Sequence, residues 1–480
     1  MTLRSQSADE LLAALRDGKE LSSGEQLSLL LRLSLPAMVA QISVIAMQYI
    51  DASMVGHLGA NASAAIGILM STTWLFFGVC GAAVIGFTVP VSHLIGAKNF
   101  AGARALVRQC FTVSMAGALA VMVLALAIHP YIAGWLGAAP EIIPDATSYF
   151  FYFALSIPFV VLEMMAGGLL RASGNIKTPS QLNVLLCVLD VIFNFLLIFP
   201  TETRTLFGVT LTTPGADLGV TGAAIGTLLS DVVIGLVLLW CLFVRSPILA
   251  IVHEKGSWRP QFATVKRAFI LSFPIGLQRF LMTSGQVVLM TIVSPLGVAS
   301  IAAHSLATTA ESLCYMPGYG VSEAATTMIG QSIGAKRLND AKKFAGLSVG
   351  LGAGIMTLMG VIMYVFADEL MYTLTNDPEV VRLGAEVLRI EAFAEPLFAV
   401  SIVAFGCLVG AGDTKVPAAL NMLSMWGVRL TLAAWLAPKY GLVGVWIAMA
   451  TELCVRGLLM LARLLSGRWL RLRSLAESAN

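Results

Sequence analysis

Ile95-Gly-Ala-Lys98 and Ile333-Gly-Ala-Lys336 are the same four residues 238 positions apart, and that spacing decides the fold. The same offset relates Pro36 to Pro274, Pro158 to Pro396, Gly174 to Gly412, Lys177 to Lys415, Pro179 to Pro417, Asn183 to Asn421 and Pro200 to Pro438. Identity without a gap from Pro36 to Pro200, falling mainly on Gly, Pro and loop cations, marks an internal duplication. Past that point the offset drops to 222, where Gly222 matches Gly444, so the segment near 201–216 reads as an insertion in the first copy.

Each copy is written in membrane composition. The 480 residues are 58% hydrophobic and 12% charged, with a mean hydropathy of +0.85, too few charges to cover a soluble surface. Apolar runs long enough to cross about 30 Å of hydrocarbon lie near 31–53, 62–90, 107–128, 146–169, 179–199, 222–244, 268–293, 300–329, 344–366, 383–408, 417–437 and 442–465. They are continuous rather than alternating, which predicts helices instead of barrel strands. The expected architecture is an all-α polytopic membrane protein, twelve transmembrane helices in two pseudo-symmetric six-helix lobes. Its parts are a tail (1–30), an N-lobe (31–244), a linker (245–267), a C-lobe (268–465) and a second tail (466–480). Because six is even, both halves enter the membrane in the same sense, related by an axis along its normal, and a duplicated two-lobed bundle points to a transporter.

Basic residues gather in every second loop. Lys98, Arg104 and Arg108 follow span two; Arg171 and Lys177 follow span four; Arg245, Lys255, Arg259, Lys266 and Arg267 join spans six and seven. Lys336, Arg337, Lys342 and Lys343 follow span eight, Lys415 follows span ten, and Arg468, Arg471 and Arg473 close the chain. The other loops hold little beyond Arg204, Arg382 and Lys439. The positive-inside rule then places both tails in the cytoplasm, in a cell inner (plasma) membrane. Glu10-Leu-Leu-Ala-Ala-Leu-Arg16 suits a short amphipathic helix, and nothing in the first thirty residues has the form of a cleaved signal. A net charge of +3 without an aromatic-studded basic run excludes nucleic acid as a partner. Seven scattered cysteines without a CxxC pattern indicate neither disulfides nor zinc.

Positions that the two halves share report the fold; charges present in one half only point to function. An ionisable side chain at membrane depth costs about 2.5–3.5 kcal/mol on insertion scales. Gln41, Gln48 and Asp51 share one face of span one, and the repeat places Leu289 opposite Asp51. Asn183, Asp190 and Asn194 share one face of span five, with Val428 equivalent to Asp190. A carboxyl group away from water can carry a proton, and clustered oxygens can hold Na⁺. Asp51, Asp190, Asn194 and Asn183 are therefore the candidate cation-coupling residues. Gln41, Gln48, Gln278, Arg279, Glu311 and Met316 are candidates for the substrate cavity. Arg279 with Glu311, and Arg429 with Glu395, are expected to pair across helices, and Glu452 with Arg456 along one helix. His304 reads as a packing histidine, and Asp231 and Glu163 stay ambiguous. No GxxxxGK[ST], GxSxG or HExxH motif occurs, so the chain is expected to be no enzyme, to need no cofactor, and to draw energy from an H⁺ or Na⁺ gradient.

Several segments together resemble the multidrug and toxic compound extrusion (MATE) family from about residue 30 to 465. They are Leu33-Ser-Leu-Pro36, Tyr49-Ile-Asp51, His93-Leu-Ile-Gly-Ala-Lys98, Ala302-Ala-His304, Glu311-Ser-Leu-Cys-Tyr-Met-Pro-Gly318, Gly330-Gln-Ser-Ile-Gly-Ala-Lys336 and Gly410-Ala-Gly-Asp-Thr-Lys415. The resemblance implies a V-shaped pair of lobes, acting as a monomer, that exchanges organic cations or other small amphipathic molecules for H⁺ or Na⁺. Asp51 and Asp190 look like the family's N-lobe carboxylates, and Glu311 is similar to an acidic residue in a subset of it. Sodium-coupled bacterial members carry acids in spans seven and ten where this chain has Met282 and Phe398, which moves the expected ion site to the N-lobe. The alternative is a flippase for a lipid-linked precursor from the same superfamily.

Overall fold

A computed structural model describes residues 7–206, 209–252 and 254–471. Arg473 and the outer ends of both expected tails lie outside these residues. The helices are α1 (Ala8–Arg16), α2 (Ser23–Gly56), α3 (Ala60–Gly96), α4 (Phe100–Trp135), α5 (Ile143–Ala172), α6 (Lys177–Ile198) and α7 (Gly219–Trp240) in the first half. The second half holds α8 (Phe262–Val293), α9 (Val298–Gly334), α10 (Leu338–Val365), α11 (Ala367–Leu374), α12 (Pro378–Ala392), α13 (Glu395–Gly410), α14 (Lys415–Ser424) and α15 (Leu430–Leu465).

Nine of the described helical segments are long and apolar enough to cross a membrane on their own. Three physical details bring the crossings to twelve among the described residues. Helices α12 and α13 bend by 61° and together make one span. The stretch Lys415–Leu465 runs for 51 residues, about 75 Å as helix, far more than one bilayer needs. Gly441 (φ 59, ψ −138) breaks it in two, in a backbone region that glycine enters without a steric penalty. Helix α9 is a full 37 residues but carries His304, Glu311 and Glu323 among many Ser and Thr, which lowers its hydropathy. The inserted segment is not a plain loop: Pro200–Leu206 (β1) pairs antiparallel with Val209–Ala216 (β2), closing the backbone hydrogen bonds of a segment that leaves the membrane.

The repeat reappears as geometry. A Cβ on Gly96 would stand 2.1 Å from the Gln331 carbonyl oxygen, and one on Gly334 would stand 2.0 Å from that of His93. Residues 93 and 331, like 96 and 334, are equivalent in the two copies, so α3 and α9 cross on the pseudo-twofold axis. Hydrogen bonds across the crossing follow the same rule. His93 Nε2 meets the Gly410 carbonyl at 2.9 Å, and Gln331 Nε2 donates to the Ala172 carbonyl at 2.9 Å. The motif's lysines, Lys98 (φ 58) and Lys336 (φ 60), both end their helices in the left-handed region.

Around this crossing the two halves pack tightly. One buried cluster joins Leu29 and Leu33 of α2 with Met328 and Ile333 of α9 and Phe344 of α10; another joins Ala82 and Val89 of α3 to Ile275 of α8 and Val409 of α13. Farther along the helices the clusters separate. Ala65, Leu69, Phe150 and Phe153 pack within the first half; Leu289, Ala307, Trp446 and Met449 pack within the second. The molecule is therefore closed at the end that carries both tails and divided by a cleft at the other.

The amphipathic helix expected near the N-terminus is α1, capped by reciprocal Ser7–Glu10 hydrogen bonds. Its Leu11, Leu12 and Leu15 are buried in the closed end with Leu29, Ile176 and Met328. Beyond α1, Asp17 binds Lys98 of the first half at 2.6 Å, and Arg337 of the second donates to the Lys19 carbonyl. The hydrogen bond and charge of Lys98 hold the exposed Asp17 carboxyl below the usual carboxylate range.

Candidate functional site

Helix α6 lays one stripe against its neighbours: Cys187, Asp190, Asn194 and Ile198 are its buried positions in the middle and far turns. The helical period thus drives two polar side chains into the protein instead of into lipid. Asp51 arrives from the far end of α2, which packs along α6. Asn194 joins the two acids. Its Nδ2 donates to Asp51 Oδ1 at 3.1 Å and to Asp190 Oδ2 at 2.9 Å. Thr227 of α7 stands beside Asp190, and the two carboxyl groups lie close enough to share a hydrogen. Gly226 makes room for the amide, since a Cβ there would sit 2.1 Å from Asn194 Oδ1.

The cluster is incomplete in one respect. Asp190 Oδ1 and Asn194 Oδ1 are buried without a partner, although a buried acceptor without a donor costs about 1–3 kcal/mol. A proton on the carboxyl pair, or a small cation between its oxygens, fills that need. Tyr149 and Asp231 lie within electrostatic reach of the pair, and Asp231 lies beside Ser156 and senses Glu163. The first half therefore gathers four carboxyl groups, Asp51, Glu163, Asp190 and Asp231, in one electrostatically linked set inside its helices. Asn183 is not among them: it lies two turns along α6, about 10 Å away, half-buried. Thr227 was not foreseen; its signal was a hydroxyl four residues before Asp231, on the same face of an otherwise apolar span.

The second half resolves its charges differently from expectation. Arg429 pairs with Glu452 at 2.6 Å, not with Glu395. The cause is a π-helical turn at Met425–Arg429, whose extra residue rotates Arg429 away from the face that an α-helix would give it. Arg456 completes the group at 3.1 Å from Glu452, the expected i,i+4 pair, and Ser424 donates to the same carboxylate at 2.6 Å. Glu311 is buried within reach of Arg429 and Arg456 and does not meet Arg279. His304 accepts from Trp446 Nε1 at 3.1 Å, as a packing histidine does.

Of the cavity candidates, Gln48 and Arg279 are exposed, Gln41 and Met316 are half-buried, and Gln278 and Glu311 are buried inside the second half. Gln41 donates to Glu323 of α9 at 3.2 Å, and Arg171 stands 3.7 Å from the same carboxylate. This polar chain links the halves at the base of the cleft.

A sequence model of the MatE family matches residues 36–196 and 274–435, one match in each copy of the repeat. A "Probable multidrug resistance protein NorM" of Thermotoga maritima is 26% identical over 450 residues, covering 92% of each chain. Its namesake in Pseudomonas aeruginosa is 28% identical over 438 residues, covering 88% of this chain and 86% of that one. Among solved structures, the Vibrio cholerae MATE transporter VcmN in the bent form superposes with a TM-score of 0.81 at 20% identity, covering 93% of this chain and 99% of that one. An outward-facing multidrug resistance MATE family transporter of the MOP superfamily gives 0.84 at 19% identity, covering 96% and 100%.

Proposed function

The chain belongs to the MatE family, whose members are transporters and not enzymes, and from that premise we propose that it exports organic cations and other small amphipathic molecules in exchange for an ion. The tail end, where the basic loops gather, faces the cytoplasm of an inner membrane. The cleft opens outward, and transport proceeds by rocking the two lobes about the α3–α9 crossing. One chain supplies every group of the site, which supports a monomer.

The observation that carries the reading is the Asp51–Asn194–Asp190 bridge with its unfilled buried acceptors. It gives the N-lobe a place to take up an ion at positions where the C-lobe carries Leu289 and Val428. Asn194 turns its nitrogen toward both carboxyl groups. That orientation suits a pair sharing a proton, whereas Na⁺ would require the amide oxygen instead. The related flippase reading predicts movement of lipid rather than drug.

Purified protein in proteoliposomes discriminates these readings. An imposed proton gradient should drive uptake of a fluorescent cation in inside-out vesicles, and a Na⁺ gradient alone should not. Drive by Na⁺ alone moves the coupling ion to Na⁺. Drive by neither gradient, with labelled lipid moving instead, sinks the drug-exporter reading.

A further inference from the structure

Helix α8 carries a stripe at helical spacing: Ala268, Ser272, Ile275, Arg279, Met282 and Gln286. The first three are buried at the closed end, Ala268 and Ser272 against the Gly86 region of α3 and Ile275 among lobe-joining apolar residues. Arg279 is the first exposed residue of the stripe, Met282 is half-buried and Gln286 is exposed again. The lipid-facing side of α8 is a different one, with Phe273, Leu277 and Phe280 all exposed. Arg279 thus stands where α8 parts from α3, on the floor of the cleft, with its Cβ beside Gly78.

The other copy shows what this position normally needs. Leu30, Ser34 and Ala37 are buried on α2 at the equivalent places, and Gln41, equivalent to Arg279, comes next. Gln41 has a partner in Glu323. The residue equivalent to Glu323 beside Arg279 is Ile85. The two equivalent sites are therefore uneven: the glutamine has an acid across from it, and the arginine has an isoleucine. Arg279 makes no hydrogen bond or ion pair with any described residue, while Arg429 and Arg456 at similar depth share Glu452. A guanidinium near mid-membrane needs water or an anion to reach it, and on an open cleft floor its planar fork is free to fit carboxylate or phosphate oxygens.

We propose that Arg279 is an anion-recognition residue on the floor of the transport cleft, selecting amphipathic molecules that carry a carboxylate or phosphate group. The proposal rests on the efflux reading and adds to it a preference for zwitterions and amphipathic anions among the exported molecules. The anion belongs either to a solute or to a lipid headgroup.

The test uses one xanthene dye in two forms, the ethyl-ester cation and its free-acid zwitterion, with intact protein in phosphatidylcholine nanodiscs and proteoliposomes. Wild type should bind the acid more tightly than the ester. Arg279→Gln, which installs the residue of the other copy, should weaken acid binding about tenfold or more and leave the ester within about twofold. Arg279→Lys should restore part of the loss, because it returns charge without the fork. Displacement of the acid by added phosphatidylglycerol in wild type, but not in Arg279→Gln, supports the proposal with a headgroup as the source. Selective loss without displacement supports it with a solute. Equal effects on both dyes would make Arg279 a gating or folding residue and overturn the proposal. Export of the ester without any binding of the acid overturns the proposal and keeps the efflux reading; failure of wild type to move either dye overturns both.

Discussion

Spans five and eleven descend from one ancestral helix, and each buries charge, yet they treat it in opposite ways. In span eleven Arg429 is met by Glu452, and that carboxylate also takes Ser424 and Arg456. In span five Asp190 meets a second acid through one amide, and two buried acceptors stay unfilled. In the first arrangement both Glu452 oxygens have donors when the chain folds. The second leaves room for the proton or ion proposed above, since a group that must bind and release something cannot be saturated by its own protein.

The largest effect expected from this contrast is on the unsaturated side. Asp190→Asn should lower ion-driven transport in proteoliposomes by about two orders of magnitude, the scale on which loss of a proton carrier acts, with insertion and folding intact. Asp51→Asn should behave similarly, and the double variant should lose little more than either single one, because groups acting as a unit are not additive. Wild-type transport by Asp190→Asn, with unchanged pH and Na⁺ dependence, would move the ion site to the C-lobe.

On the saturated side, Glu452→Gln leaves two buried arginines short of a counter-charge. It should cost about 3–5 kcal/mol of stability, read as an earlier thermal transition in detergent, while the ion dependence of the transport that remains stays as in wild type. A changed pH profile at full stability would erase the contrast between the lobes.

The smallest effect belongs to a charge pair in water. Asp17 is depressed by Lys98, so any stability it contributes is full above the unfolded carboxylate range and disappears as pH falls through its own lower value. Both groups are about half exposed, and exposed pairs contribute little. Asp17→Asn should therefore shift the thermal transition barely at neutral pH and not at all in acid. A large shift at neutral pH would show that the N-terminal strap matters to the closed end far beyond its one ion pair.

The sequence made some of this legible and hid the rest for definite reasons. Hydropathy exposes the spans because lipid forbids unpaired backbone, and the offset of 238 exposes the two copies because glycines at a close crossing tolerate no replacement. Asp51, Asp190 and Asn194 were readable because helical spacing puts them on faces. Asn183 shares that face and still falls outside the cluster, since a face is a direction and says nothing of depth. The Arg429–Glu452 pair was hidden because two charges in neighbouring spans were matched without knowing which way each faces, and a π-helical turn at Met425–Arg429 sets that facing. The hairpin at Pro200–Ala216 lacks any counterpart in the second copy, so the repeat was silent about it.

The crossing of α3 and α9 carries a consequence for ancestry. Its contacts are reciprocal, 93 on 334 and 331 on 96, 93 on 410 and 331 on 172. An interface in which one patch meets its own copy is what two identical chains form about a twofold axis. A six-helix ancestor therefore already possessed the closure needed to work as a pair. Joining two such chains end to end freed each half from having to match the other. After fusion an aspartate could arise at 190 without its twin at 428, and an arginine at 279 without its twin at 41, changes that a homodimer would have been forced to make twice.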